Sequence, residues 1–243
     1  MLRKIFTLNL LLVGALLLGA CNVTIGGNPI QGRGEMVSHT FQVEDFTAID
    51  IGGNYNVVWR QSQTQTLTIE MQENLFEHLQ VSVANGVLLV DSRRTFNTGL
   101  GNTPRIYIHT PALDAVSFSG AANATDWDTI RAQNFSIDVS GAANISIALE
   151  VEQLDIDVAG AADIELSGSA GTANLISSGA GSISAFSLQT ASANIDLSGV
   201  GSTDISVSDT LDVDISGAGQ VRYRGNPTVT QDVSGLGRVS RAD

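Results

Sequence analysis

From residue 132 to residue 221 apolar and polar positions alternate with period two, lapse at short glycine-containing breaks, and then resume. Phe135, Ile137 and Val139 alternate with Ser136 and Asp138, and Leu154, Ile156 and Val158 with Asp155 and Asp157. That period sends successive side chains to opposite faces, so each stretch predicts a strand with one face buried. After each break a second, shorter apolar run follows, such as Ile145-Ser146-Ile147 or Ile164-Glu165-Leu166, and then a polar connection.

The breaks recur. Ser-Gly or Ala-Gly followed by small residues stands at Gly120, Gly141, Gly160, Gly179, Gly199, Gly217 and Gly235, at intervals of 21, 19, 19, 20, 18 and 18. The clearest copies are Ile-Asp-Val-Ser-Gly-Ala-Ala-Asn-Ile (137–145) and Ile-Asp-Val-Ala-Gly-Ala-Ala-Asp-Ile (156–164). A degenerate copy, Ile49-Asp50-Ile51-Gly52-Gly53-Asn54, precedes them. A fixed period near 20 residues is the mark of a solenoid, because one copy cannot bury its apolar face alone and stacked copies can. The glycines read as tight corners that need positive φ and close backbone approach. With strands about 4.8 Å apart, six steps from Gly120 to Gly235 rise about 29 Å.

The expected fold is therefore all-β: a right-handed parallel β-helix with rungs of about 19 residues and Ile, Val and Leu inside. An antiparallel meander would share the pattern. It ranks lower because like residues in neighbouring copies stack naturally only in parallel.

Residues 36–118 are less regular. Candidate strands there are 37–43, 48–51, 56–59, 66–71, 81–84, 87–91 and 105–109, with a helical turn or two over 73–79. Asn85-Gly86 between apolar alternations is a hairpin signal. This part reads as the irregular opening of the same 36–243 domain.

The N-terminus changes the setting. Arg3 and Lys4 precede an apolar stretch from Ile5 to Ala20, which ends Leu18-Gly19-Ala20-Cys21. That is the three-part shape of a signal peptide, 1–20, and the stretch is short for a membrane span. The last four residues resemble a bacterial lipobox, which implies cleavage before Cys21, its lipidation, and attachment to a membrane through the lipid. Cys21 is the sole cysteine, so no intramolecular disulfide can form. Residues 21–35, rich in glycine, predict a flexible tether. Asn22, not aspartate, favours the outer membrane by analogy with enterobacterial lipoproteins.

Removing 1–20 leaves ten basic side chains against 25 acidic ones, and Lys4 is the only lysine of the 243 residues. A field that negative excludes nucleic acid as a partner.

The motifs of the N-terminal half resemble the bacterial putative autotransporter adhesin, head GIN domain family. The resemblance lies in Phe46-Thr47-Ala48-Ile49-Asp50-Ile51 with Gly53, Asn74-Leu75, Gly86-Val87-Leu88-Leu89-Val90, and Thr110-Pro111-Ala112-Leu113 leading to Ser119-Gly120, completed by the Ser-Gly repeats. It covers roughly 36–243 and implies a right-handed β-helix, often behind a lipoprotein signal, with a role in adhesion. It supplies no catalytic residues.

The candidate chemistry lies outside the core. Three residues before each corner glycine stand Asp50, Ser117, Asp138, Asp157, Ile176, Asp196, Asp214 and Asp232; two residues earlier stand Ser136, Asp155, Asn174, Asn194 and Asp212. Stacking makes two polar ladders with no basic residue between 132 and 221 to relieve them. Calcium on Asp138, Asp155, Asp157, Asp196, Asp212 and Asp214 is the sharp reading, and a solvated acidic face the bland one. Asn123, Asn144, Asp163, Ser182 and Ser202 form a further column that reads as structural. Departures from the repeat are Trp127 and Arg222, Tyr223 and Arg224, readable as contacts for a glycan or protein or as a cap on the open end. His39, His78 and His109 are isolated, and a catalytic site should break the repeat. The expected function is thus a non-enzymatic cell-envelope binding or adhesion module without a required cofactor. The alternatives are an envelope-stress or cation-responsive accessory protein and a carbohydrate-active β-helix enzyme.

Overall fold

A computed structural model describes residues 28–242. The proposed signal peptide, Cys21 and the tether as far as residue 27 lie outside the described residues.

The opening segment carries β1 (Ile30–Gln31), β2 (Met36–Phe41), β3 (Ala48–Ile51), β4 (Asn54–Gln61) and β5 (Thr66–Gln72), followed by a 3-10 helix (Glu73–His78). Then come β6 (Leu79–Ala84), β7 (Val87–Ser92), β8 (Phe96–Asn97), β9 (Arg105–Thr110) and β10 (Ala115–Phe118). The repeating part is β11 (Ala121–Trp127), β12 (Ile130–Val139), β13 (Ala142–Val158), β14 (Ala161–Ser177), β15 (Ala180–Leu197) and β16 (Val200–Ile215). The last three strands are β17 (Ala218–Arg224), β18 (Thr228–Val233) and β19 (Arg238–Arg241).

From β3 onward each corner stacks on the next in parallel register. Ala48 to Ile51 pair with Ala115 to Phe118, which pair with Ser136 to Val139; β13 then runs beside β14 with partners 19 residues apart. The chain is a β-solenoid of about seven turns with rungs about 19 residues apart, as the repeat predicts. The degenerate copy at 49–54 is a true rung, because Asn54 and Asn56 pair with Ala121 and Asn123.

Two expectations change. The run after each glycine is the longer one: Ala142 to Val151 pairs continuously with Ala161 to Ala170, and the polar connection is itself strand. Its alternation slips at Glu152-Gln153, both exposed, which marks the second corner of the rung. The glycines, in turn, are required by contact, not by φ. Of the corner series only Gly53 has positive φ. A Cβ on Gly141, Gly160 or Gly179 would sit 2.0, 1.9 or 1.9 Å from the carbonyl oxygen of the glycine one rung before. Two consecutive N–H groups, of Ala159 and Gly160, both reach Val139 O (2.9 and 3.0 Å), and that tight corner leaves no room for a side chain.

The N-terminal end is built differently. There β2 pairs with β5, β5 with β9, and β6 with β7, all antiparallel. The β6–β7 link is the expected Asn-Gly hairpin, with φ of 53° at Asn85 and 76° at Gly86. Leu75, fully buried in the 3-10 helix, plugs this end of the core. The bulkiest buried side chains, Trp59, Tyr55, Phe118 and Phe135, all precede residue 136, whereas later rungs bury Ile, Val, Leu and Ala. The tether is shorter than expected at its described end. Ile30–Gln31 pairs with Phe96–Asn97, and the Asn74 amide receives Arg33 N–H (2.8 Å) and donates to Gln31 O (2.9 Å).

Candidate functional site

The rungs put the predicted ladders in register. Asp50 lies beside Ser117, Ser117 beside Asp138, Asp138 beside Asp157, Asp157 beside Ile176, Ile176 beside Asp196, and Asp196 beside Asp214, which faces Asp232. Like charges directly opposite one another repel. Burial first, then Asp91 and Asp138, raise the Asp50 carboxyl above its ordinary range. The second column is instead hydrogen-bonded: Asn194 Nδ2 donates to Asn174 Oδ1 (2.8 Å), and Asn174 Nδ2 to Asp155 Oδ1 (2.7 Å). Gln153 Nε2 donates to Asp155 Oδ2 (2.8 Å), so Asp155 is already satisfied.

Asp155, Asn194, Asp196, Asp212 and Asp214 line a shallow groove of about 570 Å³. Among the described residues, no three His, Cys, Asp or Glu side chains come together as a chelating set. Asp138 and Asp157 stand earlier on the same stripe.

The third column is a structural ladder, as expected. Asn123 Nδ2 donates to Asn56 Oδ1 and Asn144 Nδ2 to Asn123 Oδ1, each at 3.2 Å, and Ser182 Oγ to Asp163 Oδ1 at 2.7 Å. It borders a shallow groove floored by alanines of successive rungs.

The departures from the repeat have separate fates. Trp127 is not a free aromatic contact. Its indole N–H donates to Val57 O (2.7 Å), and its ring lies 6.2 Å from that of Trp59, which fixes it as packing. Tyr223 packs its ring against the core and is only half-exposed. Arg222 forks Asp204 and is thereby held fully charged. Arg224 lies 4.2 Å over the ring of Phe186, which a bulge between Ala185 and Gln189 brings to the surface. The histidines are apart: His39 stacks on Phe76 at 4.0 Å, His109 meets Thr66 Oγ1, and His78 lies beside Glu77.

Sequence reasoning missed a further place. Where the first corner meets the segment after β7, Gly53, Asn54, Asp91, Arg93, Arg94 and Phe96 surround a hollow of about 460 Å³. Asp91 sits over Gly52, where a Cβ would lie 2.7 Å from its Oδ1. It also helps burial to raise the Tyr55 phenol above its ordinary range. Adjacent arginines in a chain whose one lysine is Lys4 were the available signal.

Residues 45–227 match the family model described as "Putative auto-transporter adhesin, head GIN domain". Among solved structures, a "putative adhesin" from Bacteroides fragilis is 26% identical with a TM-score of 0.82, covering 88% of this chain and 100% of that one. Two proteins of Parabacteroides distasonis share the fold. A "putative adhesin" has 23% identity and a TM-score of 0.64, and a "putative lipid binding protein" 19% and 0.70; each covers 88% of this chain and 100% of its own. No curated protein matches. Among the described residues, no helix is long and apolar enough to cross a membrane.

Proposed function

The chain belongs to the family described as "Putative auto-transporter adhesin, head GIN domain", and on that premise we propose that it is an exported, non-enzymatic envelope module that works by binding. One observation carries this reading: the rungs repeat the same short polar side chains in paired columns. Catalysis needs unlike groups converging on one reacting atom. A repeated column supplies a rigid, extended scaffold instead, as adhesion requires.

Lipidation at Cys21 would set its orientation. Seven residues separate Cys21 from Asn28, a reach of about 25 Å at full extension. The N-terminal end would therefore lie near the membrane, and the end bearing Arg222, Tyr223 and Arg224 would point away to meet a glycan or protein. The outer membrane is the proposed site.

A second reading, response to divalent cations, is favoured by the groove in which Asp196 and Asp214 stand side by side with Asp212 nearby. There a cation would offset repulsion between rungs. Melting at constant ionic strength with and without millimolar calcium separates the readings: a midpoint unmoved by calcium removes the second.

For the first reading, palmitate labelling of wild type and Cys21→Ala should differ, and equal labelling rejects the anchor. Cells displaying the full chain should adhere to some member of a panel of glycans and host-surface proteins. Adherence no greater than that of cells lacking the chain rejects binding.

A further inference from the structure

The hollow beside the first corner is where unlike side chains interrupt the ladders. Its floor is main chain of Gly53 and Gly120, and its wall is the segment after β7. Its volume of about 460 Å³ lies within the usual range of small-ligand sites, about 300–1,000 Å³. Two neighbouring guanidiniums, Arg93 and Arg94, stand there, and among the described residues neither makes an ion pair. Arg94 gives one N–H to Asn28 O and keeps the rest of its donors. Such a planar fork matches a carboxylate in two parallel bonds.

Asp91 decides between kinds of anion. Its Oδ1 takes the Ser92 N–H at 2.7 Å, and Oδ2 is left to accept another donor. Hydrogen phosphate could donate its P–O–H to Asp91, but its higher negative charge is repelled by that carboxylate more strongly than the single charge of a sugar acid. A sugar that carries a carboxylate needs both features: a cationic fork for its acid and an acceptor for its hydroxyl. The half-buried Phe96 adds an apolar wall for the C–H face of a ring. Asp50, the first carboxylate of the ladder, is close enough to interact with Asp91, whereas the rungs beyond it weigh little, since charges beyond about 8 Å are screened at physiological salt.

We propose that this hollow binds an acidic saccharide, with its carboxylate on Arg93 and Arg94 and a ring hydroxyl on Asp91. The proposal rests on the reading of the chain as a binding module and names a ligand class for it.

Titration calorimetry on the intact chain in detergent micelles tests it, with three probes: a linear trigalacturonate, the neutral trigalactose, and inorganic phosphate. The trigalacturonate should bind, and Arg93→Gln and Arg94→Gln should each weaken it about tenfold or more without moving the melting temperature, because both side chains are exposed. Arg131→Gln, outside the hollow and paired on the surface with Glu150, should leave binding unchanged. Absence of trigalacturonate binding to wild type, equal binding by the Arg93 and Arg94 variants, or phosphate or trigalactose bound as tightly would each overturn it. Adhesion of displaying cells without trigalacturonate binding would sink only this assignment. Trigalacturonate binding without adhesion would sink the adhesive reading and spare the site.

Discussion

Residues 36–118 and residues 119–221 spend similar lengths of chain on opposite solutions to one problem. The later segment buries its apolar face by repetition: each rung covers the one before, in parallel, with small residues at the corner and Ile, Val and Leu inside. The opening segment has no rung before it to lean on. It closes the end of the core with antiparallel strands, a 3-10 helix and the largest buried rings. A repeat stabilises its middle cheaply and leaves its ends to be solved by particular residues. Those particular residues are also where binding chemistry can be placed.

The comparison predicts unequal sensitivity to the same change. Gly160→Ala should be the most damaging substitution, costing about 3 kcal/mol or more, because its Cβ would meet Gly141 O at 1.9 Å and backbone cannot give way. Gly34→Ala in the opening segment meets nothing within 4 Å, and only its φ of +84° opposes it, so about 1 kcal/mol is expected. Urea melts of both variants check the order, and equal costs would break the account of the corners. Next, Leu75→Ala removes the plug and should cost about 2–5 kcal/mol, with amide exchange rising first in β2 and β6 and not in β14. Uniform exchange would mean that the end is not separately closed.

Smaller effects probe the columns. Asn144→Ala breaks one ladder bond and should cost about 0.5–1.5 kcal/mol by thermal melting. Asp157→Asn should stabilise by a few tenths of a kcal/mol at low salt by relieving its repulsion with Asp138, and the gain should vanish at high salt. For Asp50 the sign follows from its raised carboxyl. The folded chain holds that proton more tightly than the unfolded one, so its contribution is fully present below the ordinary value of 3.8 and is lost as pH rises through the raised value. Asp50→Asn should therefore flatten the stability profile on the acid side of neutrality, and an unchanged profile would contradict the assigned burial.

Legibility followed the same division. Rung length, the corner glycines, the Asp50-to-Asp232 column and the Asn column could be read because residues adjacent in space are equivalent in sequence. The antiparallel cap was only partly visible. Asn85-Gly86 announced its hairpin locally, but nothing in Thr66 to Gln72 says that it pairs with both Met36–Phe41 and Arg105–Thr110. Asn74-Leu75, legible only as a motif, proves to be the plug and the clasp on residues 31 and 33. The Arg93–Arg94 hollow was hidden because it forms between segments about 40 residues apart, and the anchoring of Trp127 was hidden in the same way, since Val57, which accepts its indole N–H, lies 70 residues earlier.

The central claim is that binding resides where the repeat is broken and not along the rungs. Adhesion of cells displaying the full chain tests it most directly, comparing two sets of changes at matched display. One set is Asp138→Asn, Asp157→Asn and Asp196→Asn on the ladder; the other is Arg93→Gln, Arg94→Gln and Arg224→Gln at the breaks. The account predicts unchanged adhesion for the first set and loss for the second. Loss with the ladder changes alone would contradict it.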